Sequence, residues 1–191
     1  WDYNEYSIIP DFIFKNYFYI FSGCFDLTND LCVTFKTYLS TFYFCFITWI
    51  FTLLIGFTIA YFLAFHVKSL ELQISLFLIC TIPFWTSNVI RMVSWIPLLG
   101  RNGLFNNILL YLGIINEPQD WFLYSSFSVV LAFIHLYTLF MIVPIFNSML
   151  RIDKSIIEAA YDSGANGFQI LTNIIIPLCK PVIVIGTIFV I

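Results

Sequence analysis

Three long stretches of this chain carry almost no charge, and that restricts the folds open to it more than any other feature. Residues 37–65 and 72–90 contain no Asp, Glu, Lys, Arg or His, and residues 121–150 contain only His135. A helix needs roughly 20 mostly apolar residues to cross about 30 Å of hydrocarbon, where backbone polar groups have to be satisfied within the segment. The stretches meet that requirement. With 61% hydrophobic and 10% charged residues, the chain lies far outside the mix of a soluble domain. The expected fold class is therefore all-α, a polytopic transmembrane helix bundle.

The same pattern divides the chain. Residues 1–36, with five acidic side chains against Lys15 and Lys36, read as an outer loop; spans are expected at about 37–65, 72–100 and 121–147, with an incomplete one at 176–191. In the first span Gly56, Ala60 and Ala64 fall four apart and share one helical face, which lets another helix approach closely. Pro83 and Pro97 each remove a backbone donor, so the second span should be kinked. Arg91 falls about 29 Å of helical rise from Leu72, which predicts a position near the far interface where it snorkels. Residues 101–120 are too short in their apolar core to span and read as a surface-lying helix. His135 is expected to hydrogen-bond a neighbour within the bundle. Lys68, Arg151, Lys154 and Lys180 lie at one set of helix ends and Lys15, Lys36 and Arg101 at the other, and the short loops of the first set favour it as the cytoplasmic side.

Several function classes are excluded by what these segments lack. A net charge of −3 without a basic patch gives no nucleic-acid surface. Cys24, Cys32, Cys45, Cys80 and Cys179 show neither zinc-ligand spacing nor a C-x-x-C pair, so neither metal nor cofactor is expected. Cys24 and Cys32 share one polar loop and could form a disulfide if it faces an oxidising compartment. The spans hold almost no ionisable groups, which argues against intramembrane catalysis.

A polar insert at about 151–175 interrupts the apolar pattern. Its sequence "DKSIIEAAYDSGANGFQ" reads as two short helices joined by a glycine turn. Ser155 with Glu158, and Asn166 with Gln169, have capping-box spacing, in which the first side chain caps the helix and the second reaches back. Gly164 falls where the first helix should stop, in the left-handed conformation. Pro177 is expected to mark a break before the last apolar run.

Glu158-Ala159-Ala160, three residues, Gly164, nine residues, then Ile174-x-Ile176-Pro177 closely resembles the EAA loop of ABC importer permeases, with Ile176 in place of the pattern's Leu. "PFWTSNVIR", within a longer stretch from Thr81, is similar to the third transmembrane segment of the spermidine/putrescine importer permeases, first-subunit type. The resemblance runs from the outer loop after the family's first helix to part of its fifth. It implies the type I importer permease fold, lacking here its first and last helices, in a bacterial inner membrane.

That resemblance further implies a polyamine permease working with a pair of ATPase subunits, a second related permease and an extracytoplasmic substrate-binding protein. The EAA loop would dock on the ATPase through Glu158, Ala159, Ala160, Gly164 and Ala165, with the Glu158 carboxylate meeting a basic residue. The chain has no G-x-x-x-x-G-K-[ST] loop of its own, so hydrolysis is expected on another polypeptide. A polyamine calls for aromatic faces, and Trp85, Asn88 and Trp95, read as lying along one side of the kinked helix, are the candidate path residues. The alternative reading is a channel or secondary-transporter subunit that needs no ATPase.

Overall fold

The computed structural model describes residues 14, 18, 33–120 and 122–191, and all regular structure among them is helical. Most of the expected outer loop, Cys24, Cys32 and Trp121 lie outside the described residues. By its internal contacts the chain divides into Trp1–Tyr43 and Phe44–Ile191. In the first unit the described side chains are mostly exposed, Phe14 and Phe18 among them. The packing described below belongs to the second.

Helix α1, Val33–Tyr61, begins ahead of the expected start at 37. Four of its threonines bond back to carbonyls one turn earlier, among them Thr52 to Thr48 at 2.8 Å and Thr58 to Leu54 at 2.7 Å, so these hydroxyls need no water. A π-helical turn, Phe62–His66, ends it, and Val67 is extended. Buried Gln73 then donates from Nε2 to the Leu63 carbonyl at 2.8 Å, fastening the next helix to this turn.

Helix α2, Leu70–Thr81, runs into a 3-10 turn, Ile82–Trp85, and the kink expected at Pro83 appears there as a break in the helix. The chain bends by 93° between Leu70–Trp85 and Asn88–Tyr111. Pro83 supplies no donor to the preceding turn, and Thr86 and Ser87 adopt ψ of 150° and 137°, outside helical geometry. The result is a broken span or a re-entrant loop. Its second limb consists of α3, Asn88–Val93, α4, Trp95–Leu99, and α5, Leu104–Tyr111. The expected surface helix at 101–120 is thus α5 alone. Within it, fully buried Asn106 donates to the Gly100 and Gln119 carbonyls and accepts from the Gln119 amide, closing the loop.

Helix α6, Ser126–Met149, starts with the Ser125 side chain accepting from the Ser128 amide. In the later part of the insert, α8, Gly167–Ile170, continues through a π turn, Leu171–Ile175, into α9, Ile176–Val190. Pro177 therefore does not break the chain as expected. The widened turn just before it makes room for a ring that has no N–H to offer. Val33–His66, Ser126–Met149 and Gly167–Val190 are each long and apolar enough to cross a membrane, as is the bent pair taken as one span. This is a multi-pass membrane protein.

Met141 on α6 is fully buried where three helices meet, and two glycines explain how closely they do so. A Cβ on Gly56 of α1 would lie 2.7 Å from the Met141 Cβ, and one on Gly186 of α9 would lie 2.7 Å from its Sδ. Buried Gly56 and Ala60 are the close-contact face read from the small-residue spacing. The two glycines differ in what yields. Gly56→Ala meets an atom fixed to the helix backbone and should destabilise the protein by about 1–3 kcal/mol. Gly186→Ala meets the end of a flexible side chain and should cost clearly less. Thermal unfolding of the two variants in detergent checks this, and equal losses would contradict it.

Candidate functional site

The insert is built around helix α7, Lys154–Asp162. Its N-cap is Asp153, whose Oδ1 accepts from the Ser155 amide at 3.0 Å, and not Ser155 as the capping-box spacing suggested. A carboxylate at a helix N-terminus also gains from the dipole, so Asp153 outcompetes a hydroxyl two residues on. One consequence matters for function. Glu158 is released from capping, stands exposed, and forms no ion pair among the described residues.

The helix ends as a complete Schellman turn. Gly164 has φ +82°, its amide donates to Tyr161 at 2.9 Å, and the Ala165 amide donates to Ala160 at 3.0 Å. Asn166 and Gln169 then form the reciprocal capping box that starts α8, with both bonds at 2.9 Å. These contacts fix the direction of α7 from both ends.

The expected contact residues do not share one surface. Ala160 and Ala165 pack against the core, while Glu158 and Ala159 are exposed. Spacing alone missed three exposed apolar side chains of the insert, Ile156, Tyr161 and Phe168, at 46%, 56% and 73% exposure. Their signal in the sequence is large apolar groups within an otherwise polar segment. Behind α7 a cavity of about 580 Å³ opens toward the end of α1, where His66, Lys68, Lys154 and Glu158 line it beside Tyr61 and Tyr161.

The three candidate path residues are separated by the bend. Trp85, at the end of the first limb, is 86% exposed and lines a cleft of about 790 Å³ with Phe77, Phe84, Phe140, Asn147 and Phe189. Trp95, on the second limb, lines a different cavity of about 440 Å³, its ring edge-on to His135 at 5.5 Å between centroids. Asn88 is exposed at the start of α3 and lines neither. Helical spacing cannot be carried across residues 86 and 87, because they are not helical. His135 meets Trp95 by this ring contact and not through the hydrogen bond expected of it.

Arg91 is also displaced from its expected place. It is 6% exposed and turned back into the bend, with Nη2 donating to the carbonyls of Pro83 at 2.5 Å and Thr86 at 3.2 Å. The Pro83 carbonyl also accepts from the Thr86 amide and hydroxyl, so the guanidinium adds to the bonds that hold this turn and ties it to α3. Snorkelling is replaced by an internal strut.

No family model matches the chain. It is 35% identical over 138 residues to the spermidine/putrescine transport system permease protein PotB of Salmonella typhimurium, covering 72% of this chain and 47% of that protein. The PotB of Escherichia coli is 34% identical over 138 residues, covering 72% of this chain and 49% of its own length. The inner membrane ABC transporter permease protein YdcU of Escherichia coli is 24% identical over 148 residues, covering 71% and 46%. The chain spans about half the length of the curated relatives it matches. With a multi-pass helical fold and identity at this level to permeases of one transport system, the chain belongs to the ABC transporter permease family that includes the spermidine/putrescine permease proteins.

Proposed function

We propose that this chain is a permease subunit of an ATP-driven importer in a bacterial inner membrane and that its solute is a polyamine. Residues Glu158, Ala159, Ala160, Gly164 and Ala165 form the coupling element. Glu158 and Ala159 make the contact with an ATPase subunit, while Ala160, Gly164 and Ala165 set the aim of the helix. The observation that carries this reading is α7 itself: nine residues held between an Asp153 cap and a Gly164 turn, with a free carboxylate at Glu158 and with Ile156 and Tyr161 exposed on the same helix. Apolar side chains at that exposure suit a surface that is covered in an assembly.

The partners are a pair of ATPase subunits, a second related permease and an extracytoplasmic binding protein. Trp85, Asn88 and Trp95 are proposed path residues, with Trp85 foremost because its cleft is walled by aromatic faces that attract organic cations. The test is purification of the full-length protein with its transport system, followed by polyamine uptake in vesicles. A stable complex containing the ATPase, with uptake dependent on ATP, is expected; uptake without any ATPase would overturn the reading.

Within that system Trp85→Ala should lower uptake about tenfold through lost cation–π contact, roughly 0.5–2 kcal/mol per ring. Leu78→Ala is the control, since Leu78 is 55% exposed on α2 and lines neither cavity. Leu76, on the same helix, packs against the core and is no control. Equal uptake by wild type and Trp85→Ala would return this side chain to a packing role.

A further inference from the structure

We infer that the cavity inside the bend, built around Arg91, receives a carboxylate from a transmembrane helix of the second permease, so that the two permeases are joined by an ion pair within the membrane. The inference rests on the proposed two-permease assembly and names a contact by which it is held.

The argument starts from the guanidinium. It is 94% removed from solvent by its 6% exposure, yet only Nη2 finds acceptors, the two carbonyls of the broken turn. Nε is buried with no hydrogen-bond partner, and no bond from Nη1 is formed among the described residues. Two carbonyl dipoles do not neutralise a full charge, and a buried charge without a counter-ion is strongly unfavourable. Among the described residues the carboxylates are Glu71, Glu117, Asp120, Asp153, Glu158 and Asp162, and none lines this cavity. The only ion pair among the described residues, Arg101 with Asp120 at 3.4 Å, is elsewhere and exposed. The counter-charge has to come from outside these segments.

The walls decide what carries it. Apart from Arg91 the cavity is lined by Ile55, Ile59, Leu131, Ile134 and His135 among mainly apolar neighbours. A free carboxylate entering would give up its hydration for one guanidinium and an imidazole. A carboxylate on an apolar helix gains the burial of that helix against the same isoleucine and leucine side chains, and an Arg fork pairs with it in a planar, bidentate way. Ionisable groups at membrane depth pair with one another where they occur. Arg91 thus serves two ends at once: it closes the bend from inside and offers its remaining donors to the neighbouring subunit.

The experiment uses the complete transporter in detergent and measures the dissociation of the second permease from this chain. Each Asp and Glu within the spans of the second permease is changed to Asn or Gln, alone and with Arg91→Gln. One carboxylate is expected whose neutralisation weakens association on the order of 100-fold, as for a broken buried pair, and adds nothing once Arg91 is already Gln. Exchanging the charges, Arg91→Glu with that carboxylate changed to Arg, should restore most of the loss. The carboxylate-side variants leave this chain untouched, so they report even if Arg91→Gln disrupts the bend itself. Additive effects at every carboxylate would overturn the inference. So would protection by free acetate, or by phosphatidylglycerol over phosphatidylcholine in nanodiscs, that is lost in Arg91→Gln without any coupled carboxylate. Those outcomes assign the cavity to a solute or a lipid phosphate. Absence of a second permease or an ATPase from the complex counts against the proposed function; their presence with no coupled carboxylate counts against this inference alone.

Discussion

Replacing Glu158 by Ala should detach or uncouple the ATPase while leaving the membrane bundle intact. The carboxylate is exposed on α7, is not used in capping, and has no ion-pair partner among the described residues, so its removal takes nothing from the fold. If it meets a basic group at a desolvated contact, its loss costs about 2–5 kcal/mol, much of it from leaving the partner charge unpaired. That corresponds to affinity lower by roughly 30-fold or more. The expected result is loss of ATPase during purification, with loss of substrate-stimulated hydrolysis and an unchanged melting temperature for the permease. Asp162, at the last turn of the same helix, should matter less when changed to Asn. Full retention and full stimulation in Glu158→Ala would reduce the insert to a connecting hairpin.

Gly164→Val should reach the same end by another route. At φ +82° a β-branched residue is a conformational outlier, and the Schellman turn that stops α7 would have to open. No atom lies within 4 Å of a Cβ built there, so the penalty is one of backbone conformation and not of crowding. A left-handed residue costs an L side chain roughly 1–2 kcal/mol, with β-branching adding to it. The expected outcome is stimulation of hydrolysis reduced at least several-fold because the helix is no longer aimed. Gly164→Asn, which tolerates this conformation, should retain most of it. Gly113 provides the control: it has φ +66° with nothing within 4 Å, but follows α5, away from the insert. Gly113→Val suffers a similar backbone penalty and should leave ATPase retention unchanged. Loss of coupling in both valine variants would point to general destabilisation in place of a misdirected helix.

Much of this architecture can be read in the chain because it depends on local composition. Uncharged runs near membrane length have few folds available, and the windows around residues 37–65 and 121–150 accordingly lie over α1 and α6. The Gly164 turn and the Asn166–Gln169 box are equally local, each specified by residues within a few positions of one another. Capping at Asp153 was a competition between two local signals, and spacing chose the wrong one. The charged cap nearer the N-terminus prevailed.

The remainder was decided by contacts between residues far apart in sequence. Pro83 announced a bend, but only the completed turn, with Arg91 reaching back to Pro83 and Thr86, fixes it at 93° and moves Trp85 and Trp95 into different cavities. Pro177 announced a break, and a π turn absorbed it. Ala159 and Ala160 are adjacent and chemically identical, yet one faces out and the other packs on the core, in a helix that lines one cavity with the end of α1, the π turn after it, and Gly167, Ile170 and Ile175. By itself the sequence determined that the chain is a membrane-spanning helical protein with one capped polar insert, since hydrocarbon and turn geometry act on short segments. Only tertiary structure decided where Arg91 is buried, that Ala160 packs on the core while Glu158 stays exposed, and how closely Met141 sits between Gly56 and Gly186. Those depend on how separate helices pack, which no local pattern specifies.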